Sequence, residues 1–312
     1  MKIVEGLKSL KRQPYDSVVT IGVFDGLHIG HRHIIKKAVA AAHKAGLASV
    51  AVTFDPHPVK VLKADHCIPS LISLKHRIRL IEELGIDTLV VVKFTKPFSR
   101  MSPEEFTKDI LIDKLRMRSI FVGDNFYFGR GGRGGAGLLQ KMSHLYGFKV
   151  FAVKPVKLMG HVASSSLIRK FMLRGDLRKA SKLLGRSVSV LGTVVEGAGI
   201  AKGLGYPTAN VNPHHEAIPP RGVYAVRMQF GKKRFNGILN IGFRPTFYSP
   251  RDLEPTIEVH IFGYKGNLYN KDIEVQFVKK IRDERKFETA DNLVRQINDD
   301  VVMARAILKA KK

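Results

Sequence analysis

The chain has 312 residues, 44% hydrophobic and 26% charged, which excludes collagen-like, low-complexity and disordered chains and suits two domains of about 150 residues each. Lys+Arg 53 against Asp+Glu 27 gives +26, with residues 1–185 carrying +18 and residues 186–312 carrying +8. Such an excess favours phosphate-bearing substrates or polyanionic partners, beside the plainer reading of a basic surface, and keeps nucleic acid open.

The single cysteine, Cys67, excludes an internal disulfide and a Cys-based zinc site. No run approaches the ~20 apolar residues of a membrane helix, and no apolar signal region follows Met1. The expectation is a cytoplasmic protein that needs no metal to fold.

In chain order, the first half alternates apolar β-rich runs with amphipathic helices. Strands are expected at 18–23, 48–54, 88–94, 119–122 and 149–153, and helices at about 30–44, 73–84, 103–115 and 137–146. This alternation predicts a doubly wound parallel sheet with helices on both faces and ligands at the carboxyl ends of its strands. Two short helices, 165–173 and 176–184, read as a connector. After Gly185 the pattern changes to β-rich runs at 188–195, 223–230, 235–241, 256–262 and 273–277, punctuated by Gly231, Pro245 and Gly266-Asn267. That spacing predicts an antiparallel barrel, closed by a last helix at about 289–309. The division is therefore 1–158, a helical connector 159–184, and 185–312.

The segment Gly22-Val23-Phe24-Asp25-Gly26-Leu27-His28-Ile29-Gly30-His31 runs off the first strand into the first long helix. Its glycines let backbone approach a phosphate, and the helix start offers free N–H groups and a positive dipole end. His28 and His31 could donate to a triphosphate and stabilise the charge that develops as its α–β bridge breaks. That chemistry is nucleotidyl transfer, with pyrophosphate leaving. An H-x-G-H string also occurs in class I aminoacyl-tRNA synthetases. Lys141-Met142-Ser143-His144 echoes their second signature, but it lacks the final Lys-Ser and falls in an expected helix.

The longer string from Gly22 to His31 resembles the prokaryotic bifunctional riboflavin kinase/FMN adenylyltransferase (FAD synthetase) family. Thr53-Phe54-Asp55-Pro56-His57-Pro58 is similar to the family's T-F-x-P-H-P. Gly123-Asp124-Asn125-Phe126-Tyr127-Phe128-Gly129 is similar to G-x-[DN]-F-x-F-G, and Ser164-Ser165-Ser166-Leu167-Ile168-Arg169 to S-S-T-x-I-R. The resemblance implies a Rossmann-like nucleotidyltransferase domain with catalytic His28 and His31. It places ATP on Gly22, Phe24, Asp25, Gly30, Asn125, Ser164, Ser165, Ser166 and Arg169, and the flavin on Phe54, Pro56, His57 and Pro58. Three departures occur: Tyr127 stands for Arg, Ser166 for Thr, and the Gly-rich run 130–135 lacks the usual acidic residue near its end and is expected to be mobile.

A second set lies in the other half. The loop from Gly197 through Lys202 and Gly205 to Tyr206-Pro207-Thr208-Ala209-Asn210 resembles the riboflavin kinase glycine loop and P-T-A-N motif, with Ala201-Lys202 in place of Gly-Arg. Residues 240–247, N-I-G-F-R-P-T-F, resemble N-I-G-x-R-P-T-F. A glycine-rich turn can cradle ATP phosphates, and the Thr208 hydroxyl and Asn210 amide oxygen are hard ligands suited to Mg²⁺. Gly197, Lys202, Gly205, Pro207, Thr208 and Asn210 are thus the expected kinase ATP site, with Thr208 and Asn210 on the metal. Glu258 and His260 share one face of a strand whose other face carries Ile257 and Val259. The resemblance makes Glu258 the base that takes the riboflavin hydroxyl proton, at the barrel mouth. Arg282, Glu284 and Phe287 match R-x-E-x-x-F, a flap over the flavin.

Riboflavin, FMN and ATP are then the expected partners, with Mg²⁺ accompanying ATP, flavin as substrate and product rather than redox cofactor, and oligomeric state open. The rival reading is a nucleic-acid-binding protein of synthetase-like ancestry. It rests on the charge and the H-I-G-H string. Aromatic residues interleaved with Lys/Arg on an exposed sheet would support it, and the sequence has no such pattern.

Overall fold

Strands rich in Val and Ile must bury both faces when helices cover a parallel sheet above and below. A computed structural model describes residues 1–63, 69–197, 205–214, 216–243 and 255–310; Cys67 lies outside them. The chain divides into two compact units, Met1–Ser70 with Leu74–Ser165, and Leu71–Ser73 with Ser166–Lys312.

The first unit runs β1 (Lys2–Glu5), β2 (Ser17–Ile21), α1 (Ile29–Ala45), β3 (Ala48–Asp55), α2 (Pro58–Leu62), α3 (Leu74–Glu82), β4 (Thr88–Lys93), α4 (Pro103–Glu105), β5 (Met117–Gly123), β6 (Tyr127–Phe128), β7 (Gly134–Gly135), α5 (Ala136–Tyr146), β8 (Lys149–Val153), β9 (Lys157–Leu158) and β10 (His161–Val162). β2 is buried at every position. Six strands pair in parallel in the order β1-β4-β3-β2-β5-β8. The order reverses between β2 and β5, so a ligand crevice opens where β2 runs into α1.

Several features of this unit differ from the expected elements, among them the short helix α2. β1 is an added edge strand, invisible in Lys2–Glu5 because three of its four residues are exposed. The single helix expected over 103–115 is one α turn followed by a π-helical stretch, Phe106–Lys114. Leu115 N–H reaches back five residues to the Ile110 carbonyl at 3.0 Å, which keeps Phe106, Ile110 and Leu115 in the core. β9 and β10 form an unforeseen two-stranded ribbon. The Gly-rich run is built into a hairpin rather than left loose: Gly134 pairs with Phe128, and Gly129, at φ +72°, passes so close to Pro103 that a Cβ would clash at 2.6 Å.

The second unit holds α7 (Leu177–Leu184), β11 (Ser189–Val195), β12 (Ala209–Asn212), β13 (Gly222–Phe230), β14 (Lys233–Phe243), β15 (Pro255–Ile261), β16 (Asp272–Arg282) and α8 (Ala290–Lys309). α6 (Ser165–Leu173) spans the division. The strands close an antiparallel barrel in the order β11-β12-β15-β14-β13-β16. Alternate residues such as Tyr224, Val226, Leu239, Ile257, Val259 and Phe277 are buried inside it. The next residues along, Val223, Ala225 and Ile238, pack outward on Ala304 and Leu308 of α8.

Candidate active sites

After β2 the chain must turn sharply into α1. Phe24, Gly26 and Leu27 take left-handed conformations at φ 53°, 75° and 40°, and two of them are not glycine, so the turn is strained and held by its surroundings. His28 caps α1: its Nδ1 accepts the Gly30 N–H at 3.2 Å and the His31 N–H at 3.4 Å. The His28 and His31 rings stack at 3.7 Å, and Phe24 meets His31 edge-on at 5.4 Å. Both histidines thus stand at a helix N-terminus, where an anion is favoured. Burial, then the neighbouring His28, then Arg77 hold His31 well below the usual histidine range, so it is uncharged at neutral pH.

The other expected ATP residues divide. Gly22 lies against the Phe24 ring, and Gly30 against the His28 ring. Phe24 and Asp25 are themselves buried, as scaffold of the turn. Ser165 donates its hydroxyl to the Asp25 carbonyl at 2.8 Å. Ser166 and Arg169 belong to the second unit.

Beside the cradle lies a cavity of about 530 Å³, lined by Gly22, Val23, Phe54, Pro58, Phe98 and Asn125 among others. Phe54, Phe94 and Phe98 pack on one another with ring centres 5.6 to 6.2 Å apart. Aromatic walls with a few polar groups suit a planar heteroaromatic ligand. Pro56 and His57 are not on the wall; His57 caps α2 by accepting the Val59 N–H at 3.2 Å. Tyr127, the departure from Arg, lines the opening. Phe94 and Phe98 were missed in the sequence. Their signal was position: both follow β4 at the carboxyl edge of the sheet.

On the barrel, a pocket of about 320 Å³ is lined by Gly197, Pro207, Thr208, Asn210, Tyr264 and Tyr269 among others. Gly197 approaches the Asn210 amide so closely that any Cβ would overlap it. The Pro207 carbonyl accepts from His260 Nδ1 at 2.9 Å, and the Tyr206 hydroxyl donates to Asn298 on α8. Gly205 turns at φ +87°; Lys202 and residues 244–247 lie outside the described residues.

Strand register aligns the remaining groups. Glu258 faces Asn210 on one side and Asn240 on the other, and directly opposed residues project from the same face. That face is the outer wall rather than the expected barrel mouth, because Ile257 and Val259 take the inward positions. Glu284 lies against Gly242, where a Cβ would meet its Oε1 at 2.6 Å. Arg282 pairs with the buried Asp300 of α8 at 2.8 Å, and Phe287 lies under Arg282 and Arg285 at 5.6 and 4.9 Å. Thr208 and Asn210 supply a hydroxyl and an amide oxygen, hard-oxygen donors that fit Mg²⁺ carried on phosphates.

A helix N-terminus that favours an anion at the switch point of a doubly wound sheet, and a second glycine-framed pocket on a separate barrel, fit a two-site nucleotide-using enzyme. The family of FAD synthetase matches residues 10–167, and that of riboflavin kinase matches residues 184–308. The chain belongs to the bifunctional riboflavin kinase/FMN adenylyltransferase family. A protein of that description from Buchnera aphidicola subsp. Schizaphis graminum is 37% identical over 303 residues, covering 96% of this chain and 97% of the relative. Its Escherichia coli K12 counterpart is 34% identical over 307 residues, covering 98% and 97%. The crystal structure of a Streptococcus pneumoniae protein described as a macrolide-efflux protein is similar too. It superposes with a TM-score of 0.85 at 29% identity, covering 98% of this chain and 99% of that one. Among the described residues no helix is long and apolar enough to cross a membrane. With enzyme families matching both halves, the nucleic-acid reading falls away.

Proposed function

We propose that the barrel phosphorylates riboflavin to FMN with Mg-ATP, and that the parallel-sheet unit then adenylylates FMN to FAD and releases pyrophosphate. The domains are taken as 1–158 and 185–312, joined by a helical connector at 159–184. In the first step Glu258 accepts the proton of the ribityl hydroxyl as its oxygen attacks the γ-phosphorus and ADP leaves. Gly197, Lys202, Gly205 and Pro207 frame the nucleotide, Thr208 and Asn210 would hold Mg²⁺, and Glu284 and Phe287 cover the flavin. Mg²⁺ held there would offset the phosphate charge. Arg282, tied to Asp300, serves as the brace of that flap.

In the second step an FMN phosphate oxygen attacks the α-phosphorus of another ATP. The start of α1, His28 and neutral His31 stabilise the charge that passes to pyrophosphate. Asn125, Ser164, Ser166 and Arg169 hold the nucleotide, Ser165 braces the cradle, and Phe54 and Pro58 flank the flavin ring, with Pro56 and His57 shaping their turn. An enzyme using intracellular ATP, with one cysteine, is placed in the cytoplasm.

The observation that supports this division most is that each unit carries its own cavity and its own family match. Incubating the protein with riboflavin, ATP and Mg²⁺ tests it. Chromatography should show FMN first and FAD after it, both lost with EDTA. FAD forming with no kinase activity on riboflavin would refute the assignment.

A further inference from the structure

Helix α3 reads K-H-R-I-R-L-I-E within its sequence, and nothing marks Arg77 among its cations. In the fold Arg77 is only 2% exposed. Its Nη1 donates to Thr53 Oγ1 at 3.0 Å and to the Phe54 carbonyl at 2.8 Å, while Nη2 stands 4.0 Å from the Asp55 carboxylate. Thr53 passes the chain on, donating its hydroxyl to the Val23 carbonyl at 3.1 Å. A run of donors therefore links α3, the end of β3 and the first turn of the nucleotide cradle.

The arrangement is a poor way to gain stability. Burial works against the guanidinium charge, which the fields of Asp25 and Asp55 sustain. Its Nε is sealed from solvent with no partner among the described residues. A buried cation with an unused donor costs stability that an apolar side chain would spare. What the brace does control is spacing. Phe54, at the end of β3, and Gly22 and Val23, in the cradle, line the same cavity from two sides.

We propose that Arg77 is a positioning residue for adenylyl transfer, whose buried guanidinium locks the flavin-side end of β3 to the nucleotide cradle. The proposal rests on the cradle being the adenylyl-transfer site. Attack of an FMN oxygen on the α-phosphorus needs the two substrates held in line, and a displacement of about 1 Å can cost ~10²-fold in rate. Arg77 also biases His31. After burial, His28 from the turn and Arg77 from α3 lower its proton affinity, while Asp25 and Asp55 face the guanidinium.

Two variants of the full chain separate fork from charge. Arg77→Lys keeps the charge and loses the paired donors; Arg77→Met loses both. FMN formation from riboflavin should be unchanged in each. The kcat for FAD formation from FMN and ATP should fall by about 10²-fold in both, with smaller changes in KM. In Arg77→Met alone, the His31 midpoint, followed by NMR on ¹³C-histidine protein, should move upward, since a repelling charge is gone. A kcat retained in Arg77→Lys, or a rise confined to the KM for FMN, would overturn the positioning role. If Arg77→Met fails to fold, Arg77→Lys still decides on kcat. The underlying reading has its own control: wild-type FAD formation by His28→Ala with His31→Ala would mean that the cradle is not the transfer site.

Discussion

The two candidate sites, each proposed to hold a phosphate chain, are built by different means. In the parallel-sheet unit the groups stand in a turn beyond the strands, and a buried polar network holds them: His28 capping α1, His31 stacked on it, Phe24 and Leu27 in left-handed conformations. In the barrel, Asn210, Glu258 and Asn240 come into line through strand register, half-buried on the outer wall. A turn-borne site needs strain and burial, and gains preorganised donors and an uncharged histidine. A register-borne site needs neither, since opposed residues on antiparallel strands are neighbours by construction.

The comparison breaks most visibly if the two halves are cut apart. A fragment from about residue 184 to residue 312 should make FMN from riboflavin and no FAD at all. A folded fragment without kinase activity would show that the barrel needs the other unit. Next in size is the double variant His28→Ala with His31→Ala. FAD formation should fall by about 10² to 10³ for each donor lost, while FMN accumulates; accumulation is read by chromatography.

Glu258→Gln is the mirror test. Gln keeps the shape but cannot take the hydroxyl proton, so FMN formation should drop by about 10² to 10⁴, mainly in kcat. Conversion of supplied FMN to FAD should be unaffected. Normal FMN formation would reduce Glu258 to a strand residue. A smaller effect sharpens the register argument. Gly197→Ala would set a Cβ into the space of the Asn210 amide and push it aside by more than an ångström, which should cost about 10²-fold in kinase kcat/KM.

The smallest effect concerns pH. Burial lowers the proton affinity of His31 in the folded chain. Above the unfolded histidine pKa of about 6.5 neither state binds the proton, so stability is full there. Below it the unfolded chain protonates first, and stability of the parallel-sheet unit is lost as pH falls, by up to about 1.4 kcal/mol per pH unit. Calorimetry between pH 7 and 5 should show this slope, flattened in His31→Gln; an identical slope would remove His31 as its source.

Much of this protein was legible before any fold was seen. Alternating apolar runs and amphipathic helices marked the sheet, and period-two runs marked most of the barrel, because both periodicities are local properties of the chain. The placement of Glu258 and His260 on one strand face, opposite Ile257 and Val259, was equally local. Short elements escaped: Lys2–Glu5 and Ala209–Asn212 are too brief to carry a period, and only pairing with β4 and β15 makes them strands. Tertiary structure alone decided which groups meet. It turned the Glu258 face outward, brought Asn210 and Asn240 to either side of that residue, and folded a glycine run against Pro103. It also buried Arg77 under β3 and lowered the proton affinity of His31. Register, burial and electric field join residues far apart in the chain, and no periodicity within one segment encodes them.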